Sequence, residues 1–255
     1  MNKTFNWIAA NSIFGIAALA INLIFITRIL TPKEIGVFAL ANIIIISSQV
    51  LTGLSFSSAL IKFKSSEDYY KTAWTVNFII GIITSIILIM LVPVIINIFF
   101  SNYVEYINYF LSLIILIPLN GAKNLGVIEL YKSNHQKKLA VLGGISEVLK
   151  QLIILFFIIY FAGLKGLFYG VIAYSIINLF LTYYIAPIKI GWSLNYDAFK
   201  KLYNFSVWLH LKNILQFTSN QIDTLILGNI SQASTLGYYN RARIISNLPK
   251  IIMDK

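Results

Sequence analysis

The chain alternates long apolar stretches with short segments in which charged and polar residues concentrate. Most stretches reach the roughly 20 residues that a helix needs to cross a bilayer, and they lack the alternation of barrel strands. The pattern predicts membrane-spanning helices, about seven in all, because lipid offers the backbone no hydrogen-bond partners. The stretches cover residues 7–27, 35–61, 72–100, 106–122, 139–163, 166–187 and 203–228, and an eighth begins near residue 244.

The composition agrees with this interpretation. Of the 255 residues, 58% are hydrophobic and only 11% are charged, whereas soluble domains carry about 25% charged residues. The net charge of +11 would suggest nucleic acid in a soluble protein. Here the basic residues lie in short loops between apolar stretches, so no nucleic-acid partner is expected. The chain has no Cys and therefore no disulfide or thiolate metal site.

Lys and Arg residues predict the orientation of the chain. The first stretch is longer than a signal-peptide core, so we expect it to remain as a span. With the N-terminus inside, eleven Lys and Arg residues fall in inside segments and five fall outside. Cytoplasmic loops are enriched in these residues, which predicts a cytoplasmic N-terminus. The five placed outside are Arg28, Lys33, Lys165, Arg241 and Arg243.

A short pattern occurs twice in the chain. A polar loop followed by aliphatic-Gly-x-aromatic surrounds Gly36 and recurs around Gly237. The helices before both copies would run outward, which indicates a parallel repeat like that between the halves of some transporters. A chance match is an equally good explanation for so short a pattern.

Five spans carry small and polar residues on one face. Such faces pack helices against each other in membranes, and they also line hydrated cavities. Five of them in one chain favour a cavity. The faces are Asn11, Gly15, Ala18 and Asn22; Asn42, Gln49 and Gly53; Asn77, Gly81 and Ser85; Gly170, Tyr174 and Asn178; and Lys212, Gln216, Asn220 and Asp223.

Four ionisable residues lie inside predicted spans. Glu147 and Lys150 are three positions apart and can pair on a helix surface. Lys212 and Asp223 are separated by about 16 Å of helix and need other partners or water. Charges in a bilayer usually face a cavity and have a function. The alternative is that these residues lie near the membrane surface, where long side chains reach water.

No pattern in the sequence indicates an enzyme. There is no Gly-rich phosphate loop, nucleophile elbow or paired catalytic carboxylate, and His135 and His210 do not form a metal-binding pattern. Neither a cofactor nor a metal is expected.

Several segments resemble one family of membrane proteins. Residues 27–39 (TRILTPKEIGVFA) and 53–61 (GLSFSSALI) are similar to the opening of bacterial polysaccharide exporters. Residues 205–208 (FSVW), 223–228 (DTLILG) and 236–242 (LGYYNRA) resemble the O-antigen and teichuronic-acid type lipid-oligosaccharide flippases. These flippases belong to a superfamily that also contains the multidrug and toxin extrusion transporters.

The resemblance implies an all-α polytopic fold with two six-helix bundles around a central cavity. On this basis residues 1–188 form the first bundle, 189–202 a cytoplasmic linker, and 203–255 the first helix or two of the second bundle. Family members are longer and contain both bundles, so the chain is expected to be a fragment.

The resemblance also implies a function in the bacterial inner membrane. The family exports polysaccharide repeat units by moving undecaprenyl-diphosphate-linked oligosaccharide from the inner to the outer leaflet. A polysaccharide polymerase and glycosyltransferases would be partners, besides membrane lipids. We expect Arg28, Lys150 and Lys212 to bind the substrate, with Glu147 and Asp223 as their charge partners. The expected polar lining is Asn11, Asn22, Asn42, Gln49, Asn77, Asn178, Gln216 and Asn220.

Two alternative functions remain open at this point. A cation-coupled drug exporter of the same superfamily would be favoured by an acidic residue in an early span, but the first three spans contain none. A non-transporting scaffold for a glycan-assembly complex would have polar faces that pack tightly and leave no cavity.

Overall fold

The computed structural model describes residues 24–63, 66–132 and 136–253, and within these ranges the chain is helical and contains no strand. Asn11, Asn22 and most of the first predicted span lie outside the described residues. Residues 24–29 are helical. The α-helices that follow are α1 (Pro32–Thr52), α2 (Phe56–Lys62), α3 (Glu67–Phe99), α4 (Ile107–Leu113), α5 (Leu116–Gly121), α6 (Ile128–Lys132), α7 (Gln136–Phe161), α8 (Leu164–Ile185), α9 (Tyr196–Ile230) and α10 (Ala233–Met253), with 3₁₀ turns at Ser101–Tyr106 and Leu125–Val127.

Four helical segments in the described part are long and apolar enough to cross a membrane. They are α1, α3, the combined segment Ser101–Gly121, and α8. Large apolar side chains such as Met90, Ile98 and Phe180 are exposed on their surfaces, as expected of helices that face lipid. Helix α9 is not among the four, since Lys212, Gln216 and Asn220 interrupt its apolar character. The seven crossings therefore remain a prediction.

Two predicted stretches are broken. The stretch 35–61 ends as a helix at Thr52, and α2 begins after a three-residue turn in which Ser55 has a φ of 51°. The stretch 106–122 divides into α4 and α5. The break between them lies next to Pro118, which has no N–H to donate to the carbonyl of Ile114. The backbone N–H of Ile117 donates a hydrogen bond to that carbonyl instead, at 3.0 Å.

The predicted cytoplasmic linker is mostly structured. Helix α9 begins at Tyr196, and the Asn195 side chain caps it by accepting from the backbone N–H of Ala198 at 3.0 Å. The preceding segment is held across α3, because Asn195 N–H donates to Thr72 Oγ1 at 3.1 Å and Ser193 N–H donates to Thr75 Oγ1 at 3.2 Å. Only a short strap therefore separates α8 from α9.

The last helix begins earlier than predicted. We expected an eighth span from about residue 244 and placed Arg241 and Arg243 in an outside loop. Helix α10 begins at Ala233, so both arginines lie within it. The loop prediction was wrong because the first half of α10 is amphipathic rather than apolar, and a search for apolar stretches passes over it.

The largest buried cluster of apolar side chains holds α1, α3, α4, α8 and α10 together. Leu40, Ile96, Leu113, Phe168 and Leu236 are fully enclosed in it. In lipid such packing stabilises by close van der Waals contact, since the acyl chains are as apolar as the core. The cluster places α1 at the centre of the fold.

The two copies of the repeated pattern meet face to face. A Cβ atom at Gly36 would lie 1.8 Å from the carbonyl oxygen of Ala233, and one at Gly237 would lie 1.8 Å from the carbonyl oxygen of Pro32. Pro32 and Ala233 occupy equivalent positions in the two copies, and so do Gly36 and Gly237. The contact is therefore reciprocal, as around a two-fold axis, and it favours a true repeat over a chance match.

Candidate functional site

Helix α1 lines two separate cavities at different positions along its axis. Asn42 lines the first and Gln49 the second. Seven residues separate these two amides, which is about 10 Å of helix and close to two turns. The sequence predicted that the two residues share a face, and this is why each can face a cavity.

The first cavity lies between α1, α9 and α10 and has a volume of about 320 Å³. We call it the Arg243 cavity. Apolar side chains of α1, such as Phe38 and Ile43, form part of its wall. Its polar lining is Asn42, Gln221, Asn240, Arg243 and Asn247.

The Arg243 guanidinium cross-links α9 and α10. Its Nη1 donates to Gln221 Oε1 at 2.8 Å and to Thr224 Oγ1 at 2.6 Å, and its Nη2 donates to the Asn220 carbonyl. Asp223 Oδ1 lies 3.7 Å from Nη1, which is an ion pair without a short hydrogen bond. Three of the five N–H groups of Arg243 are thus used by these hydrogen bonds, and two remain for a ligand.

Asp223 is itself held by other groups. Its Oδ2 accepts from the Tyr239 hydroxyl, and its Oδ1 accepts from the Thr224 backbone N–H at 2.7 Å. These donors fix the carboxylate between α9 and α10. An anion that entered the Arg243 cavity would compete with this carboxylate for the guanidinium.

The second cavity lies where α1, α3 and α5 meet and has a volume of about 170 Å³. We call it the amide cavity, because Gln49, Asn77 and Asn120 line it, each from a different helix. Thr52, Ser55 and Ser57 complete the polar lining from the described residues, and none of the described lining residues is charged. The described lining of the amide cavity therefore combines polar and apolar side chains and carries no formal charge.

Glycines bring α3 and α5 into backbone contact beside the amide cavity. A Cβ at Gly121 would lie 2.6 Å from the Asn77 carbonyl oxygen, and one at Gly81 would lie 3.2 Å from the Pro118 Cα. Small residues at such positions let helices approach closely in membranes. The contact fixes the positions of Asn77 and Asn120 relative to each other.

A comparison with protein families identifies the family of this chain. The family described as polysaccharide biosynthesis protein matches residues 25–254. The chain belongs to that family. This confirms the family resemblance found in the sequence. Neither the curated proteins nor the solved structures that were compared gave a match.

Three of the residues that the sequence offered as polar lining border the two cavities described above. Asn42 lines the Arg243 cavity, and Gln49 and Asn77 line the amide cavity. Asn178 instead donates to the Tyr174 hydroxyl at 3.3 Å on α8. This contact lies within one helix and joins two residues of the same predicted polar face.

The three predicted cations lie outside both cavities. Arg28 and Lys212 are exposed, and Lys212 shares its exposed surface of α9 with Gln216 and Asn220. Lys150 pairs with Glu147, with Nζ 3.6 Å from Oε1, on α7. The structure does not gather these cations at one site, and their role in binding substrate remains a prediction.

The sequence did not predict Arg243 as a cavity residue, although it lines one of the two cavities described here. Asn240, Arg243 and Asn247 stand at i, i+3 and i+7 and so share one face of α10. This pattern was visible in the sequence, but it is meaningful only if the helix begins well before residue 244. We expected Asp223 to need another partner or water, and the ion pair with Arg243 supplies such a partner.

Within the described ranges, no group of three His, Cys, Asp or Glu side chains is arranged to hold a metal ion. The arrangement can instead bind polar molecules through one guanidinium, several amides and several hydroxyls. An arginine suits an anion, and amides suit neutral groups that both donate and accept hydrogen bonds.

Proposed function

We propose that this protein moves a lipid-linked oligosaccharide from the inner to the outer leaflet of a bacterial cell membrane, with undecaprenyl diphosphate as the lipid carrier. The observation that supports this proposal is Arg243, a charged side chain that lines a polar cavity between helices of a membrane protein. Membership of the polysaccharide biosynthesis protein family supports a sugar-containing substrate.

The chemistry of such a substrate matches the Arg243 cavity. A diphosphate carries negative charge and cannot enter lipid without a large cost. A guanidinium can donate two parallel hydrogen bonds to phosphate oxygens, while Asn42, Asn240 and Asn247 offer further polar contacts. The apolar tail would remain in the bilayer beside the helices.

Arg243 is therefore the first residue we would assign to the diphosphate. Arg28, Lys150 and Lys212 remain secondary candidates, since they line neither cavity. Their exposed positions suit an earlier encounter with the anionic head group, because charges on a protein surface attract a ligand from a distance.

We expect Arg243→Gln, introduced into the chromosomal gene, to abolish surface polysaccharide. Arg243→Lys should retain part of the export, since it keeps the charge but loses the planar guanidinium. Lys165→Gln is the control, because it removes an exposed cation that lines neither cavity and is not assigned to the substrate. Surface polysaccharide and protein abundance in the membrane are measured together. Normal export by Arg243→Gln would refute the role of this residue.

Removing Arg243 also leaves Asp223 without its ion-pair partner, and this could destabilise the fold by itself. The double variant Asp223→Asn with Arg243→Gln removes both charges. We expect it to recover membrane abundance but not export. Recovery of export by the double variant would mean that Arg243 has only a structural role.

The same strains distinguish the other functions. A drug exporter would show altered resistance to cationic dyes with unchanged surface polysaccharide. A scaffold would lose polysaccharide when the gene is deleted but not when Arg243 is changed. The presence of two polar cavities favours transport over a scaffold with tightly packed polar faces.

A further inference from the structure

The amide cavity has a composition that the transport of an anion does not explain. It lies about two helical turns along α1 from Asn42 and the Arg243 cavity, and no cation is among the residues of its lining that the structure describes. A site for phosphate would need positive charge or a set of converging backbone N–H groups. Its occupant should therefore be uncharged.

The amides of this cavity have unused hydrogen-bonding capacity. In the described part of the chain, the side chains of Gln49, Asn77 and Asn120 make no hydrogen bond with other protein groups. Each amide can donate two hydrogen bonds and accept two. Half-buried polar groups of this kind need water or a ligand as partner, since an unsatisfied donor or acceptor is unfavourable once it is removed from water.

The cavity also has an apolar side. Leu54, Phe56, Ile80 and Ile117 line it together with the amides and hydroxyls. A sugar ring presents hydroxyl groups around its rim and C–H groups on its faces. Polar groups placed at a few points of a largely apolar wall fix the orientation of such a ligand.

The edge of the cavity is connected to α9. Ser55, which has the positive φ of 51°, accepts a hydrogen bond at its Oγ from Asn213 Nδ2 at 3.1 Å. Non-glycine residues in this conformation are strained and cluster at ligand-binding sites and switches. The turn that lines the cavity is thus held in place by a helix that also lines the Arg243 cavity.

We propose that the amide cavity binds one neutral sugar unit of the substrate while Arg243 binds the diphosphate. This proposal rests on the proposed function and adds a second contact to it. A volume of about 170 Å³ suits one sugar ring rather than an oligosaccharide, whose further units would extend beyond the cavity.

Cysteine protection tests the proposal on the purified full chain, which has no native Cys. Ser57→Cys places a thiol on the cavity wall, where the side chain is exposed to reagent. Ser101→Cys is an exposed control that lies outside the cavity. We expect glucose, galactose or N-acetylglucosamine, at high millimolar concentration, to slow maleimide labelling severalfold at position 57 only. Glucuronate, which is anionic, should protect less than its neutral counterpart glucose.

Variants of the amides identify the binding groups. Gln49→Leu and Asn77→Leu should each raise the sugar concentration needed for half-protection by about tenfold, as expected for the loss of one or two hydrogen bonds. Gln49→Ala serves as a smaller change in case leucine disturbs packing. Unchanged labelling of Ser101→Cys and an unchanged melting temperature show that the variants are folded.

The outcomes separate this proposal from the proposed function. Protection at position 57 that depends on Gln49 and Asn77 supports the sugar site even if Arg243 proves dispensable for export. Absence of protection by all three neutral sugars would overturn the sugar site, although export could still depend on Arg243. Protection that survives in Gln49→Leu and Asn77→Leu would also overturn it, because the amides would then not be the binding groups.

Discussion

Glu34 stabilises the starts of two helices at once. Its Oε2 accepts from the Thr31 backbone N–H at 2.8 Å in the capping box of α1. Its Oε1 accepts from the backbone N–H of Leu164 at 3.0 Å, at the first residue of α8. The helix dipoles add to this, because negative charge is favourable near a helix N-terminus. One carboxylate therefore ties α1 to the turn between α7 and α8.

Replacing Glu34 should accordingly cost more than an ordinary surface change. We expect Glu34→Ala to destabilise the purified protein by about 1–3 kcal/mol, since caps contribute about 0.5–2 kcal/mol each. Glu105→Ala is the control, because it removes an exposed ion pair with Lys33 and no cap. Thermal unfolding followed by circular dichroism measures both. Equal melting temperatures for the two variants would contradict the double-cap interpretation.

Lys123 is a cation with little access to water, just beyond the apolar segment that ends at Gly121. Burial lowers the pKa of its amine from the usual value, because the charged form is poorly solvated there. The native protein thus holds this proton more weakly than the unfolded chain does. Stability should rise with pH between the native and the unfolded pKa, where the unfolded chain binds more protons.

The variant Lys123→Met tests this sign. It should melt at a higher temperature than the unmodified protein at neutral pH, because it removes the cost of the buried charge. The difference should shrink as the pH approaches the ordinary pKa of lysine. Lys189→Met, at an exposed position of the strap before α9, is the control for the loss of a surface lysine. A difference for Lys123→Met that is constant with pH would show the explanation to be wrong.

Helices differ in how far the sequence predicts them. The bounds of the predicted stretch 166–187 agree closely with those of α8, because the segment is apolar throughout and Gly163 and Pro187 flank the helix. The beginning of α10 was missed because its polar face, with Asn240 and Arg243, resembles a loop in a search for apolar stretches. Pattern alone shows which residues share a face, and tertiary structure decides which faces meet.

The same limit applies to the candidate site. Asn42, Gln49 and Asn77 were predicted from their spacing, and each lines a cavity. Asn120 was not predicted, since the break before α5 removes the regular helical spacing that would have marked it. The amide cavity exists only because residues of three separate helices meet at one place, which the spacing in one helix cannot show.

The crossing of α1 and α10 should be sensitive to single methyl groups. Gly36→Ala would place a Cβ 1.8 Å from the Ala233 carbonyl oxygen, so the helices must separate. We expect a large loss of melting temperature and of protein in the membrane. Gly143→Ala on α7 is the matched control, because nothing lies within 4 Å of the added Cβ. Alanine at that helical position should stabilise by about 0.5–1 kcal/mol.

Gly237→Ala should behave as Gly36→Ala does, because the contact is reciprocal. The double variant should lose much less than the sum of the two single losses, since the first substitution already separates the helices. Full additivity would mean that the two glycines do not share one contact.

At the scale of the whole molecule, orientation is still a prediction. The basic residues indicate that the strap before α9 faces the cytoplasm and the turn before α8 faces outward. Lys189 and Lys165 are both exposed and lie on these opposite ends. In intact cells, an impermeant maleimide should label Lys165→Cys but not Lys189→Cys. Labelling of Lys189→Cys alone would reverse the orientation.

Arg241 and Arg243 no longer count among the outside loops, since both lie in α10. Without these two arginines, fewer Lys and Arg residues are assigned to the outside loops, so the excess of basic residues on the predicted inside is larger. The charge of Arg243 belongs to a cavity, and Arg241 donates to the Leu30 carbonyl at 2.9 Å where α10 crosses the start of α1. Neither arginine is free to act as a surface charge that sets topology.

The reciprocal contact between Gly36 and Gly237 has an evolutionary consequence. Pro32 faces Gly237, and the equivalent residue Ala233 faces Gly36. The surface of one copy is therefore complementary to the same surface of the other copy. Two identical chains, each with a single copy of this segment, could meet through the same contact as a homodimer. This is the geometry expected of a gene that arose when a dimer-forming sequence was duplicated and fused, after which each copy could diverge while both glycines were retained.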